Sequence, residues 1–504
     1  MKINRSALSI SYLYQKLLLT HPVEVKMFVI PLLIFSFSLN FPSIVTAGYS
    51  YSTCNSFEKY ILRKSCNKKY LVPQSEVENR GGVASCNYFE KYILRKSECF
   101  DSDENGKEDG QYYSKCNSLE KRLLSKEFCK YNPDEVLDVP QIIARHGYLS
   151  ETHTVVTEDG YILKIHRIPK KKNGPRSRQP VLLQHGILGS SADWIINGNN
   201  SLAYLLADQG YDVWLGNARG NDYSRGHVSL PINTAQYWNF SFHEMGTKDL
   251  PTVLYYISNT TNSFGDIIYI GHSMGTTIFF AFASENPEAA KNVKMMAGMG
   301  AVAYLTHMKS PIRYLAPFSH DLEWLEKYLG FHQFLPNNKI LRLLSYQCEL
   351  FNIDATICEN VIFSICGFNK EEFNTAILPV LLSKDPAGAS TKSIVHYAQE
   401  VRNGGAFQQF DYGTKGNLIK YGTKFPPKYN LSNINPPVFL IYGMNDWLAN
   451  YTDVIRLGRE LKNLVGLYKV PMDSFNHVDY IFGKDAEKLV YRPLMKVLKK
   501  YSTF

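Results

Sequence analysis

The chain has no long uninterrupted apolar run. Its most apolar stretch, Phe28 to Leu39, spans 12 residues, where a membrane-spanning helix needs about 20. Charge of one sign is not massed anywhere as a nucleic-acid platform. The net charge of +9 is spread along the chain, the Lys-rich stretches lie mostly before residue 131, and no aromatic-basic platform for nucleic acid appears. This basicity reads as solvated surface with weak attraction to anionic membrane surfaces. Cysteine is absent between Cys129 and Cys348, so cross-links belong to the first part of the chain or to a late segment. What remains, 504 residues that are 45% apolar and 20% charged, is ordinary globular composition with room for two to four domains.

The short apolar run has a use of its own. Lys26 precedes it and the small residues Val45-Thr46-Ala47-Gly48 follow, the pattern of a secretory signal peptide cut after Ala47. Read on to Ala47, the stretch also fits a signal anchor. The leader before it is long, and translation from Met27 would remove the excess. Export agrees with the nine cysteines, which pair in an oxidising compartment. It agrees more weakly with glycosylation sequons at Asn199, Asn239, Asn259, Asn430 and Asn450.

Residues 48–131 hold a Cys-rich repeat. Cys54-Asn-Ser-Phe-Glu-Lys-Tyr-Ile-Leu-Arg-Lys-Ser-Cys66 recurs between Cys86 and Cys99, with a looser third copy from Cys116 to Cys129. In each copy an Asn stands three residues before a Glu, as in a capping box that opens a helix. A continuous helix would hold the two cysteines of the first copy about 18 Å apart, beyond disulfide reach. Either the helix breaks or the bridges join different copies. A cross-linked module and a loosely ordered spacer both fit this pattern.

From Asn132 the pattern changes. Two β-rich runs flank Glu158-Asp159-Gly160, which predicts a hairpin. Strands near Val181 and Tyr211 to Leu215 then alternate with helices near Leu202 to Asp208 and Met245 to Ser258. This is the signature of a parallel sheet with crossover helices. Residues 306–429 break the alternation with Leu, Phe, Tyr and Trp at helical spacing. The sheet resumes at Val438 to Tyr442, with a further strand near Gly466 to Pro471 and a closing helix near Glu487 to Lys499. The expected division is leader 1–47, repeats 48–131, core 132–305, helical cap 306–429 and core 430–504. The fold class is α/β, an α/β-hydrolase fold with a mostly parallel central sheet and an inserted helical cap.

The chemistry centres on Asp266-Ile-Ile-Tyr-Ile-Gly271-His272-Ser273-Met274-Gly275. A strand, a G-x-S-x-G turn and a helix make a nucleophile elbow, with glycines where a Cβ would collide. Alone the five letters arise often by chance, and a capped turn is the plain alternative. The downstream order decides. A serine nucleophile needs a base, and the base an orienting acid. Asp446 follows the strand ending at Tyr442, and His477 follows the last strand. Asp453, Asp473 and Asp479 are the rival acids. The first falls in the next helix, and the other two stand too near His477. Backbone N–H groups of Ile187, in the loop after the early strand, and of Met274 are the candidate oxyanion donors.

With Thr157-Glu-Asp-Gly-Tyr-Ile-Leu163, Leu183-Gln-His-Gly186, Asn217-Ala-Arg-Gly220, Trp238-Asn-Phe-Ser-Phe-His-Glu-Met245, Phe410-Asp-Tyr-Gly413, Asn445-Asp446 and Asn476-His477-Val-Asp479 beside the elbow, residues from about 132 to 500 resemble the acid lipase family of gastric and lysosomal lipases, including insect members. The resemblance implies Ser273, Asp446 and His477 as the triad, a helical cap, neutral lipid esters such as triacylglycerols or cholesteryl esters as substrates at a lipid–water interface, and a secreted or lysosomal place. It also implies a Cys348–Cys358 bridge that leaves Cys366 free. No metal, cofactor or nucleic-acid partner is expected, and the partner of the repeats is unknown. Two features depart from the family pattern: Met274, where Gln is usual, and the repeats themselves. A non-catalytic lipid-binding or storage protein and an esterase for small soluble esters are the rival functions.

Overall fold

The computed structural model describes residues 132–170, 179–318, 332–334, 363–403 and 405–503. The signal segment, the repeats, Cys348 and Cys358 lie outside the described residues.

The fold opens on α1 (Val139–Arg145), whose start is fixed by a reciprocal capping box between Asp138 and Gln141. A hairpin follows, β1 (Glu151–Val156) against β2 (Tyr161–Ile168), antiparallel through the predicted turn. Gly160 takes a φ of +91° there, a conformation that glycine adopts at little cost. Then come β3 (Pro180–Gln184), α2 (Leu202–Asp208), β4 (Asp212–Leu215) and the short β5 (Gly226–His227). A helical run passes through Phe242–Glu244 and the π turn Met245–Asp249 into α3 (Leu250–Thr261). The elbow lies between β6 (Ile267–His272) and α4 (Met274–Glu285), and β7 (Val293–Met299) follows.

Between β7 and the next strand of the main sheet the chain leaves the sheet. It forms the short β8 (Gln333–Phe334), α5 (Leu378–Lys384), β9 (Ala389–Ser390), α6 (Thr391–Arg402) and α7 (Gly413–Tyr421). β10 (Val438–Tyr442), α8 (Tyr451–Glu460), β11 (Leu464–Lys469) and α9 (Arg492–Leu498) complete the chain.

The main sheet runs β1-β2-β4-β3-β6-β7-β10-β11, with β5 on the side of β2. From β4 to β11 the pairs are parallel, and β1, β2 and β5 form an antiparallel edge. The central strands are buried on both faces, so they read as continuous apolar runs. Successive residues point to opposite faces. Leu182, Tyr269, Met296 and Leu440 pack on one side with α3 and α4. Val181, Leu183, Ile268, Ile270, Met295 and Ile441 pack on the other with α1, α2 and α9. Residues 185–187, Ser273, Asp446 and His477 all follow the carboxyl ends of parallel strands, the edge where open α/β sheets bind ligands.

Candidate active site

Ser273 sits at the tip of the turn with φ 53° and ψ −119°, a region that a residue with a Cβ rarely adopts. The turn is held by close backbone contact. A Cβ on Gly271 would lie 2.8 Å from the carbonyl carbon of Gly275, and one on Gly275 only 2.3 Å from the Gln184 carbonyl oxygen. The Ser273 N–H donates to the Met299 carbonyl at 3.0 Å, which ties the turn to β7.

The three residues expected to act together are in contact. His477 Nε2 lies 2.8 Å from Ser273 Oγ. His477 Nδ1 lies 3.0 Å and 2.9 Å from the two oxygens of Asp446. Asp446 is fully buried, and its Oδ1 also accepts the N–H groups of Leu448 (3.0 Å) and Ala449 (2.7 Å). Those two donors fix the carboxylate plane before the imidazole meets it. The rival Asp453 lies in α8 and accepts from the backbone and ring of His307 instead. Asp473 pairs with Lys469 on the surface. Asp479 accepts from the Asn476 N–H and from Asn369 Nδ2, and burial raises its carboxyl to about 7.

The loop after β3 lies against the elbow, since a Cβ on Gly186 would meet Ser273 Cβ at 3.2 Å. His185 shapes this loop. Its Nδ1 pairs with the Gly186 carbonyl at 2.7 Å and its Nε2 with the Ala218 N–H at 3.1 Å. That pattern needs the neutral ring protonated at Nδ1, and burial pushes its pKa down to about 4. Leu188, one residue past Ile187, takes a φ of 66°. Neither the Ile187 nor the Met274 N–H donates to a protein group among the described residues, so both are free for a ligand.

Sequence reading missed three supports of the histidine. His272, inside the five-letter motif, places its Nε2 2.9 Å from the His477 carbonyl. Burial keeps it neutral, with a pKa near 3. Gly300 has no room for a side chain, since its Cβ would lie 3.2 Å from Asp446 Oδ2 and 3.3 Å from His477 Cε1. A strap, Cys366 to Asn369, crosses both loops. The Cys366 carbonyl accepts the N–H groups of Trp447 and His477, each at 3.3 Å. The carbonyls of Gly367 and Phe368 accept from the Asn476 and Asn445 side chains, both at 2.8 Å. Asn369 Nδ2 reaches Asp479 at 2.7 Å. Only the Gly-His-Ser part of the motif offered a sequence signal for any of these.

Cys366 is buried and unbonded, and burial raises its thiol. Among the described residues no group of three or more His, Cys, Asp or Glu is placed to hold a metal ion. No described helix is long and apolar enough to cross a membrane. Of the sequons, Asn199, Asn239, Asn259 and Asn430 are exposed. Asn450 departs from expectation: it is buried at 2% exposure, and its side chain caps α8 through the Thr452 N–H. A glycan there would have to pass through packed protein.

Residues 139–198 match a partial alpha/beta-hydrolase lipase region, and residues 179–350 match the alpha/beta hydrolase fold family. Lipase 3 of Drosophila melanogaster is 41% identical over 371 residues, 73% of this chain and 94% of that protein. The human lysosomal acid lipase/cholesteryl ester hydrolase is 37% identical over 73% of this chain and 92% of its own length. The chain belongs to the acid lipase family. Human gastric triacylglycerol lipase is 38% identical over 73% of this chain and 92% of its own length. As a member of the family this chain is an ester hydrolase of the lipase type, and its sheet and elbow are those of the α/β-hydrolase fold.

Proposed function

We propose that this acid lipase cleaves the carboxylic esters of neutral lipids, triacylglycerols or cholesteryl esters, through an acyl-enzyme on Ser273. The observation that carries the reading is the continuous contact from Ser273 Oγ through His477 to Asp446. His477 Nε2 takes the Ser273 proton as Oγ attacks the ester carbonyl. The Asp446 carboxylate holds the ring in the tautomer that leaves Nε2 basic and stabilises the imidazolium. The tetrahedral oxyanion accepts hydrogen bonds from the backbone N–H groups of Ile187 and Met274. His477 then gives its proton to the departing alcohol. Water, deprotonated by the same nitrogen, attacks the acyl-enzyme and releases the fatty acid.

Residues 306–429 serve as a cap whose inward apolar side chains line an acyl groove, the exposed Leu418, Ile419 and Phe425 near its end lying outside that lining, and the core is 132–305 with 430–504. The enzyme is secreted or lysosomal behind a signal peptide near 27–47, is glycosylated at Asn199, Asn259 and Asn430, and carries a Cys348–Cys358 bridge. The similarity to a lysosomal acid lipase/cholesteryl ester hydrolase and to a gastric triacylglycerol lipase supports this placement. A fluorophosphonate probe followed by peptide mapping tests the central claim. Label on Ser273 is expected, together with loss of ester turnover on the order of 10⁶ in Ser273→Ala. Label elsewhere, or near-normal turnover in a folded Ser273→Ala protein, would overturn it.

A further inference from the structure

The segment after Asp411 is one-sided in charge. Between residues 412 and 445 there is no Asp or Glu, while Lys415, Lys420, Lys424 and Lys428 occur within 14 residues. All four lysines are exposed. Among them stand three large apolar side chains that are exposed: Ile419 at 89% exposure, Phe425 at 79% and Leu418 at 47%. Single exposed apolar residues are ordinary, but a cluster rimmed by one charge marks an interaction surface.

The cluster is presented rigidly. Asn417 Nδ2 donates to Asp411 Oδ1 and to the Lys424 carbonyl, at 2.7 Å and 3.0 Å, which ties α7 to the loop that follows. The Gln409 N–H donates to the Pro427 carbonyl at 2.8 Å, and Gly422 ends the helix in the left-handed conformation. The nearby carboxylates are committed. Asp411 also accepts the Gly413 N–H, and Glu285 accepts from Gln409. Neither pairs with any of the four lysines.

We infer that α7 and the loop to Lys428 form a docking surface for an anionic lipid surface, with Leu418, Ile419 and Phe425 entering the headgroup layer and the lysines meeting its negative charge. The chemistry fits. Apolar side chains gain free energy at the acyl boundary, lysines snorkel to the phosphates, and the absence of acid removes repulsion. The position fits a tether more than a substrate mouth. The segment packs at the carboxyl end of α4, where Gln409 reaches Glu285 and Asn433 reaches the Ser284 carbonyl. Twelve residues of helix separate that end from Ser273, about 18 Å. Docking there holds the enzyme by its flank and leaves the catalytic opening uncovered. The inference stands apart from the choice of ester, and separate measurements report on the two.

The test is co-sedimentation of the full mature chain with vesicles of phosphatidylcholine alone and of phosphatidylcholine mixed with phosphatidylserine. The wild-type chain should bind the anionic vesicles and lose that binding at high salt. Lys420→Gln and Lys424→Gln should each weaken it about fivefold, from about 1 kcal/mol per lysine at such a surface. Ile419→Ser with Phe425→Ser should weaken it about tenfold or more. Turnover of a soluble ester should be unchanged in all of them. Equal binding to both vesicle types, no binding to either, or variants that bind as well as wild type would overturn the inference. So would binding to soluble dextran sulfate without binding to vesicles, which would assign the lysines to a free polyanion.

Discussion

At the scale of residues, the five-letter motif does two jobs. Its glycines permit the approach that strains Ser273, and its second residue, His272, steadies the His477 backbone from the other side. Strain of this kind costs on the order of 1–3 kcal/mol and persists because Met299 and Gln184 leave the turn no alternative. The contact of Asp446 with His477 was legible because the proposed acid had to follow a strand. What sequence spacing could not supply was the fixed plane of its carboxylate, which depends on the Leu448 and Ala449 N–H groups. Asp446→Asn should therefore lower turnover by about 10⁴, since the amide favours the wrong imidazole tautomer. Asp453→Asn should leave turnover within a small factor of wild type, because that carboxylate serves His307. Steady-state kinetics of both variants, compared at equal melting temperature, would reverse the acid assignment if Asp453→Asn proved the more damaging.

At the scale of elements, most of the sheet was readable because its buried strands are apolar runs bounded by turn residues. The errors sit where non-local pairing decides. The G-x-S-x-G turn was expected to follow the elbow strand, yet its Gly271 and His272 still pair with Gly298 and Met299 of β7. The strand near Gly466 to Pro471 lies two residues earlier, at Leu464–Lys469, since its register is set by β10 and not by its own composition. The helix α1 was not read at all, although Asp138 and Gln141 spell its capping box.

The strap Cys366–Asn369 was illegible for a different reason: it holds the Trp447, His477, Asn476 and Asn445 groups through backbone carbonyls, which any sequence carries. Its side-chain contact can be tested. Asn369→Ala should lower kcat several-fold with KM little changed, because it loosens the His477 loop without touching substrate contacts. A rise in KM alone would mean that the strap shapes the substrate site instead.

A second element contact joins the oxyanion loop to the segment after α5. The Ala387 N–H donates to the Leu188 carbonyl at 2.6 Å, and Asp385 meets Asp193 side chain to side chain. Asp385 is half-buried, but its Oδ1 is sealed from solvent. Burial raises both carboxyls above the ordinary range, and the charge of Asp193 pushes Asp385 up further, while the hydrogen bond with Asp385 draws Asp193 partly back down. A carboxyl whose pKa is raised on folding binds more protons folded than unfolded. Its contribution to stability is complete below the unfolded carboxylate value of about 4 and is lost as pH rises through the folded value. Asp385→Asn is neutral at every pH. Its melting temperature relative to wild type should therefore climb between pH 5 and pH 8, by roughly a few degrees. A difference that stays constant with pH in scanning fluorimetry would show that the pair does not share a proton.

At the scale of the molecule, the proposed catalytic groups come from the chain after residue 180. The proposed donor loop at Ile187, the elbow at Ser273 and Met274, and the loops of Asp446 and His477 all stand on one sheet, whose first strand starts at Glu151. The six cysteines of the repeats are even in number and can pair among themselves, leaving those of the lipase part undisturbed. A chain of residues 132–504 behind a signal peptide should therefore turn over a soluble ester much as the full mature chain does. It should also keep its preference for anionic vesicles, because the lysines and apolar residues of that surface lie between 415 and 428. The repeats carry lysines and, at sequence spacings of three and four residues, Phe57, Tyr60 and Ile61, so their removal should show instead on emulsified substrate, as weaker attachment to a lipid surface or a partner. Loss of soluble-ester turnover in a truncated chain that still melts cooperatively would mean that the repeats complete the active site. Loss of vesicle binding with turnover intact would move the tether from the flank of the lipase to the repeats.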